Sequence, residues 1–370
     1  MKILLPTLYD THGGSTRVLL AAAEALRPAH AVTVRAPIAE ADEPMRALFP
    51  SHPLVGLRRK LAILPRLGAI IWREAAALRR LRPDLIYVHD EPSLYVYGVA
   101  AEALRPRPRL LWHLHAGGGG GRAARLRAAL ADACIVISPH VDPPSGLPSR
   151  LIRNPLALPA ALPLSLPLSL PLTLPPAGPP PGTGLQGLAV VGALVPRKGQ
   201  DLAVEALARL RGLKGGAAAH LTLIGPELDP AFAARLRGRI AELGLVAAVT
   251  FAGERRPADA FAGVGIALFP SEAETQPLAL AEALARGLPV AATDIPAHRA
   301  MLADAGTDPA RLSPRAPDAL ARAILTAARR APDPALASRI RTLYDPARFI
   351  AELHAYLAQI AHDIAASSRL

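Results

Sequence analysis

The sequence predicts an α/β protein of two doubly wound domains, and three observations lead there. The chain has 370 residues, more than one ordinary core would organise. Short apolar runs alternate with longer amphipathic stretches in each half, the pattern of parallel sheets covered by helices. Between the halves, residues 156–184 carry proline too often for a helix or a central strand.

In the first half, apolar runs at 2–6, 31–36, 85–89, 109–114 and 133–137 read as strands. The opening Met1-Lys2-Ile3-Leu4-Leu5-Pro6 is too short for a signal peptide and reads as a first buried strand. Residues 15–27 follow, with Val18, Leu19, Ala22 and Leu26 at helical spacing. Asn154-Pro155 marks a break, so a first domain is expected over 1–155. In the middle segment Leu-Pro-Leu-Ser recurs at 162–165 and 166–169, with Leu170-Pro171-Leu172-Thr173 as a near-identical third unit. An extended, polyproline-like linker without chemistry is expected there. The alternation restarts over 185–344. Strands are expected at 187–192, 219–224, 247–251, 265–269 and 288–292, and helices at 201–212, 230–243, 277–286 and 316–330. Asp201 is the expected N-cap of Leu202, Ala206, Leu207 and Leu210, an apolar stripe. Two such domains place a ligand cleft at the carboxyl ends of both sheets, an architecture that hydrolases, epimerases and binding proteins share.

Composition narrows the field. The formal charge is +12, from 42 basic and 30 acidic residues, nearly all of the basic ones Arg. Arg beside abundant Ala and Pro reflects a GC-rich genome; the other reading is attraction to lipid head groups, nucleic acid or a nucleotide. Nucleic acid is disfavoured, because aromatics make up only 4% of residues and no recognition module occurs. The single cysteine, Cys134, cannot form an intrachain disulfide, which fits a reducing cytosol, and its apolar setting marks it as a core residue. No window approaches the roughly 20 apolar residues of a spanning helix.

The strongest chemical signal runs from Pro270 to Val290. It follows an apolar strand and carries Glu274 and Glu282 with seven residues between them. That offset is about 12 Å of rise on one helix, but Glu274 is expected in the strand-to-helix loop and Glu282 inside the helix. Two such carboxylates can bracket an elongated ligand, accepting hydrogen bonds from hydroxyl groups at each end. The helix N-terminus between them offers N–H groups to a diphosphate. The plainer reading is a pair of solvated glutamates on a surface helix. A second segment, Val191-Gly192-Ala193-Leu194-Val195-Pro196-Arg197-Lys198-Gly199-Gln200-Asp201-Leu202, reads as strand, basic loop and capped helix.

Together these segments resemble the donor-binding motif of the large retaining glycosyltransferase family with the GT-B fold, family four of group 1. There the pattern is Pro-Ser, a Glu, seven residues, Glu-Ala, then a small residue and Gly-x-Pro-Val. Here it runs from Pro270-Ser271 through Glu274, Glu282-Ala283 and Gly287-Leu288-Pro289-Val290 into Asp294-Ile295-Pro296. The resemblance implies that Glu274 orients the donor sugar, that Lys198 neutralises the departing diphosphate and that Glu282 binds ribose. It also assigns Arg197, Gln276 and Leu278 to the donor. Family members usually carry Arg at the position of Ala193, so either diphosphate binding is weaker here or Arg197 substitutes from the neighbouring loop. Pro277 has no N–H to offer a phosphate.

The first half adds Thr11-His12-Gly13-Gly14-Ser15-Thr16-Arg17 between the first strand and helix. It lacks the full dinucleotide fingerprint; the resemblance makes Gly13 and Gly14 donor contacts. In Trp112-His113-Leu114-His115 the two histidines share one face of a strand. The resemblance places His115 near the reacting sugar carbon. A metal there needs ligands beyond this pair, and the sequence does not supply one. Gly117 to Gly121 follow, a loop able to close over an acceptor. The resemblance also makes the C-terminal segment, 345–370, a helix that packs back on the first domain.

Residues 55–82 set Arg58, Arg59, Lys60, Arg66, Arg73, Arg79, Arg80 and Arg82 among Leu61, Leu64, Ile70, Ile71 and Trp72. Pro65 is expected to prevent one continuous helix. The stretch either docks on anionic lipid or packs on the sheet with its arginines in water.

The fold class expected is therefore α/β of the GT-B type, two Rossmann-like domains with an interdomain cleft. The activity implied is retaining transfer of a sugar from a nucleotide diphosphate sugar to a saccharide or lipid-linked acceptor. No metal or other cofactor is expected, and the setting is cytoplasmic or peripheral on the inner membrane face. A binding protein that has lost transfer, a sugar-nucleotide epimerase or hydrolase, and a membrane-surface scaffold are the alternatives.

Overall fold

The computed structural model describes residues 1–8, 14–35, 57–115, 121–156, 185–255, 259–308 and 312–367. Gly13, the glycines from Gly117 to Gly120 and the proline-rich segment from 157 to 184 lie outside the described residues, as do the side chains of 57–66. The chain divides into two compact units, 1–154 with 349–370, and 155–348.

The first unit is built on β1 (Lys2–Pro6), β2 (Ala31–Arg35), β3 (Leu85–Val88), β4 (Arg109–Leu114), β5 (Ala133–Val136) and β6 (Ser149–Leu151), all parallel, in the spatial order β2-β1-β3-β4-β5-β6. Every residue of β3 and β5 is buried. That is why these strands read as unbroken apolar runs rather than alternating ones: helices cover both faces. Leu4, Ile86, Val88, Leu110, Trp112 and Cys134 form the core against Leu78, Leu94 and Tyr97. The helix Glu91–Ala101 starts on a capping Asp90, whose Oδ1 accepts from Ser93 N at 2.7 Å.

Residues Leu57–Leu81 form one helix, so the expected break at Pro65 does not occur. A proline inside a helix costs about 3 kcal/mol. Packing further along outweighs it: Ala75 and Leu78 are buried in the core, with Leu67, Ile70 and Ile71 leaning on it. Glu74, 1% exposed, fixes the helix by accepting from Arg35 Nε at 2.5 Å and Tyr97 Oη at 2.7 Å. Trp72 is left 73% exposed, beside solvent-facing Arg73, Arg79 and Arg80.

The C-terminal helix Pro346–Ser367 belongs to the first unit from Phe349 onward. Leu353 and Leu357 are buried, and Tyr356 Oη donates to the carbonyls of Cys134 and Pro148 at 3.3 Å each. No helix among the described residues is long and apolar enough to cross a membrane.

The second unit repeats the plan with β7 (Leu188–Val191), β8 (Leu221–Ile224), β9 (Val249–Gly253), β10 (Ile266–Phe269), β11 (Val290–Thr293) and β12 (Leu312–Ser313), in the parallel order β12-β11-β10-β7-β8-β9. Strand alternation splits its core into two layers. Leu188, Val190, Ile266 and Leu268 face Leu207 and Ile324 of the helices Gln200–Arg211 and Pro317–Ala328. Ala189, Ala267 and Phe269 face Leu280 and Ile340 of Leu278–Ala285 and Pro334–Leu343. In each sheet the strand order reverses once, between β1 and β3 and between β7 and β10, and ligand crevices form beyond the carboxyl ends of strands at such points.

Candidate functional site

At the switch point of the second unit, the loop after β7 meets the loop after β10. The first loop makes one tight turn, Pro196–Lys198, and closes on Gly199 at φ +70°. Only glycine suits this position, because a Cβ would stand 2.1 Å from the Pro270 carbonyl oxygen. Gly199, not Asp201, is the N-cap of Gln200–Arg211. The close approach to Pro270 sets where the helix begins, so Asp201 falls inside the first turn instead of before it. The second loop is held by Glu272 N, which donates to the Arg197 carbonyl at 2.8 Å, and by Thr293 Oγ1, which donates to the Ser271 carbonyl at 2.6 Å.

The two loops bring Lys198 and Glu274 into direct contact. Lys198 Nζ donates to Glu274 Oε1 at 2.5 Å, Ser271 Oγ donates to the same oxygen at 2.9 Å, and Arg197 Nη1 lies 3.4 Å from Oε2. The Glu274 side chain is only 8% exposed and that of Lys198 20%. Burial alone would push the Glu274 carboxyl up. The Lys198 ammonium, with Arg197 and the Ser271 hydroxyl, outweighs it and holds the carboxyl below its usual range. Lys198, Ser271 and Glu274 line a recess with Pro277, Leu280 and His298. His298 is fully buried, its Nδ1 2.7 Å from the Thr293 carbonyl, and burial lowers its pKa.

Gln276 and Leu278 sit half-buried where the loop becomes the helix Leu278–Ala285. The helix start has no side-chain cap, as Pro277 dictates, and Leu278 N donates to the Gln276 carbonyl at 2.9 Å. Glu282 lies within that helix, 8% exposed, so neither glutamate of the pair is a solvated surface group. Glu282 is not among the residues lining the Lys198–Glu274 recess. Ala193 accepts from Gln200 Nε2 at 2.9 Å through its carbonyl. Ser271, Thr293 and His298 were not singled out by sequence reasoning, although Ser271 stands in the quoted motif; Thr293 acts through a buried hydroxyl on the carbonyls of Phe269 and Ser271, and His298 through a buried ring on the Thr293 carbonyl.

The remaining predicted residues belong to the first unit. Gly14 opens the helix Gly14–Leu26. His115, just past β4, stands with His113 of the same strand and with His89, the residue after β3. His89 Nδ1 and His115 Nε2 are 3.2 Å apart, and the His113 ring stacks on His115 with centroids 4.3 Å apart. The expectation that no further ligand group accompanies His113 and His115 is corrected: His89 does. It was missed because 24 residues separate it from His113 and only the β3–β4 pairing, Val88 opposite Trp112, makes them neighbours. Burial lowers the pKa of all three histidines, that of His115 to about 3.

Two family models match the chain, one for each half. Residues 12–142 match glycosyltransferase family 4, and residues 186–330 match glycosyl transferases group 1. The chain belongs to the group 1 glycosyltransferases. No curated protein matches this glycosyltransferase significantly. Solved structures do. The HepE protein of Anabaena in complex with UDP-glucose is 18% identical over 97% of this chain and 100% of its own, with a TM-score of 0.70. Sucrose-phosphate synthase from Thermosynechococcus elongatus is 17% identical over 98% and 99%, also at 0.70. The apo lipopolysaccharide outer core galactosyltransferase WaaB is 18% identical over 97% and 100%, at 0.62. The paired parallel six-stranded sheets of this glycosyltransferase are thus the GT-B architecture.

Proposed function

We propose that this glycosyltransferase moves a sugar from a nucleotide diphosphate sugar to an acceptor hydroxyl with retention of anomeric configuration, in cell-surface polysaccharide or glycolipid synthesis. The observation that carries this reading is the Lys198–Glu274 contact at the switch point of the second sheet, where a cation and an enclosed carboxylate share one recess. The bond from the anomeric carbon to the diphosphate breaks, and one to the acceptor oxygen forms. The acceptor's proton leaves with the departing phosphate. Lys198, aided by Arg197 in place of an arginine at Ala193, neutralises the charge that builds on the diphosphate, so no metal is needed for that task. Glu274 accepts hydrogen bonds from sugar hydroxyls, Glu282 from ribose, and the loop-to-helix junction at Gln276 and Leu278 flanks the phosphates. Gly13, Gly14 and His115 act from the first unit, His115 beside the reacting carbon. The arginines and Trp72 of Leu57–Leu81 dock on anionic lipid that presents the acceptor.

A thermal-shift screen of UDP, GDP and ADP sugars tests the donor site, with UDP-glucose first because a similar structure was solved with it. At 100 times its Kd the right donor stabilises the protein by about 2.7 kcal/mol. Glu282→Ala is expected to weaken that donor by about 1.5–3 kcal/mol, the worth of hydrogen bonds to a charged group. Equal shifts for wild type and Glu282→Ala would remove Glu282 from the site. Ala193 motivates a second reading, a nucleotide-sugar binder without transfer. Donor consumption with saccharide and lipid-linked acceptors separates the two, and Ala193→Arg then restores turnover.

A further inference from the structure

We propose that His89, His113 and His115 form a three-imidazole site for a divalent transition metal of the zinc class, at the carboxyl end of β3 and β4 in the first unit. One nitrogen from each ring lies within 4.8 Å of the others. His89 Nδ1 and His115 Nε2 are already 3.2 Å apart; two nitrogens each about 2.0–2.1 Å from a tetrahedral Zn²⁺ stand about 3.3–3.4 Å apart. The third ligand atom is His113 Nε2, which is buried and has no hydrogen-bond partner. The His113 ring is 0% exposed and His89 is 2% exposed, so neither turns to bulk water for a substitute.

Two of the three rings have an outer polar neighbour, while His89 Nε2 is buried without one. Tyr87 Oη lies 2.8 Å from His113 Nδ1 and orients that ring with its Nε2 free to coordinate. The Asn154 amide stands 3.5 Å from His115 Nδ1, and a half-turn of the amide presents its oxygen to that nitrogen's proton. With three imidazoles and neither carboxylate nor thiolate in the set, Zn²⁺, Co²⁺, Ni²⁺ or Cu²⁺ is favoured over Mg²⁺ or Ca²⁺. Three protein ligands leave a fourth position for water.

A bound metal would occupy His115 Nε2 and so withdraw this ring from the reacting centre. That consequence rests on the role proposed for His115; the binding itself does not. The site therefore acts as an inhibitory metal sensor.

The test uses the untagged full chain, stripped with chelator and titrated with Co²⁺. One equivalent is expected to produce the intense visible bands of tetrahedral Co²⁺, bleached by Zn²⁺. His89→Ala is expected to weaken binding at least 100-fold, and Tyr87→Phe about 10- to 100-fold through loss of the outer hydrogen bond. Far-UV circular dichroism and urea unfolding report folding of both variants. A wild-type spectrum that shows only weak octahedral Co²⁺ overturns the site without reference to any variant. So does binding of equal strength in folded His89→Ala, which would mean adventitious metal on surface histidines. One equivalent of Zn²⁺ is expected to suppress transfer and chelator to restore it. Tight Co²⁺ binding with undiminished transfer would overturn the inhibitory role and remove His115 from the reacting centre, leaving the metal site and the donor recess in place.

Discussion

Lys198→Ala is expected to lower the rate of sugar transfer by about 10²- to 10³-fold, the usual loss when one preorganised charge-stabilising group is removed from a reacting site. It has a second expected effect, because Lys198 is also the nearest partner of an enclosed carboxylate. Without it Glu274 keeps the Ser271 hydroxyl and the more distant Arg197 guanidinium. The second unit should therefore lose about 1–3 kcal/mol, below the 3–5 kcal/mol seen when a fully buried ion pair loses one member. Glu274→Gln alone removes the charge that Lys198 neutralises, and the double variant removes both. Because the two groups touch, their effects on stability should fall short of additive by about 0.5–3 kcal/mol in a double-mutant cycle followed by urea unfolding. Additivity would mean that the pair is not formed in solution. Single-turnover rates of the same four proteins separate the chemical loss from the structural one. Lys198→Arg keeps the charge but not the compact ammonium, and is expected to recover stability more fully than rate.

The pairing also explains how far the site could be read before the structure. Glu274 and Lys198 lie 76 positions apart in sequence, and each stands in a motif whose residue types announce charge chemistry. That they bond each other depends on β7 lying beside β10, and no spacing within either motif encodes that adjacency. His89 is a stronger instance. One histidine after an apolar strand is unremarked in a sequence, and only the β3–β4 register turns it into the third member of a cluster.

Elements follow the same division. The central strands were legible because a parallel strand covered on both faces is a continuous apolar run. The edge strands Ser149–Leu151 and Leu312–Ser313 were not. They span three and two residues, and the first is exposed throughout, so no apolar pattern marks them. The helices Glu91–Ala101 and Pro296–Asp304 escaped for the opposite reasons: the first is buried nearly all round and lacks a polar face, and the second is a short helix of about two and a half turns beyond a loop that reads as a motif tail. Pro65 misled because local propensity was weighed without the packing of the residues that follow it.

Glu74→Ala is expected to destabilise the first unit by about 2–4 kcal/mol, less than the loss from a fully buried ion pair because the Arg35 side chain is 35% exposed. Glu74 joins β2, the helix Leu57–Leu81 and the helix Glu91–Ala101 through a single side chain: Arg35 Nε at 2.5 Å, Arg35 Nη2 at 3.1 Å and Tyr97 Oη at 2.7 Å. Removal leaves the fully buried Tyr97 hydroxyl without its acceptor, which adds to the loss. At about 2–4 °C per kcal/mol for units of this size, the first unit's Tm should fall by roughly 10 °C. The same group sets an acid dependence. Burial alone would raise the Glu74 carboxyl, but the Arg35 and Tyr97 hydrogen bonds and the Arg35 charge prevail and hold it below its usual range. A carboxyl lowered in the folded state binds its proton less readily there than in the unfolded chain. Its contribution is therefore present above the unfolded pKa, about 4.3 for glutamate, and is lost as pH falls through the lower folded value. Urea midpoints of wild type should thus drop below about pH 4.3 more steeply than those of Glu74→Gln, which has nothing to protonate at that position. Parallel acid curves for the two proteins would show that Arg35 and Tyr97 do not hold the carboxylate in solution, and the helix Leu57–Leu81 would then owe its place to apolar packing alone.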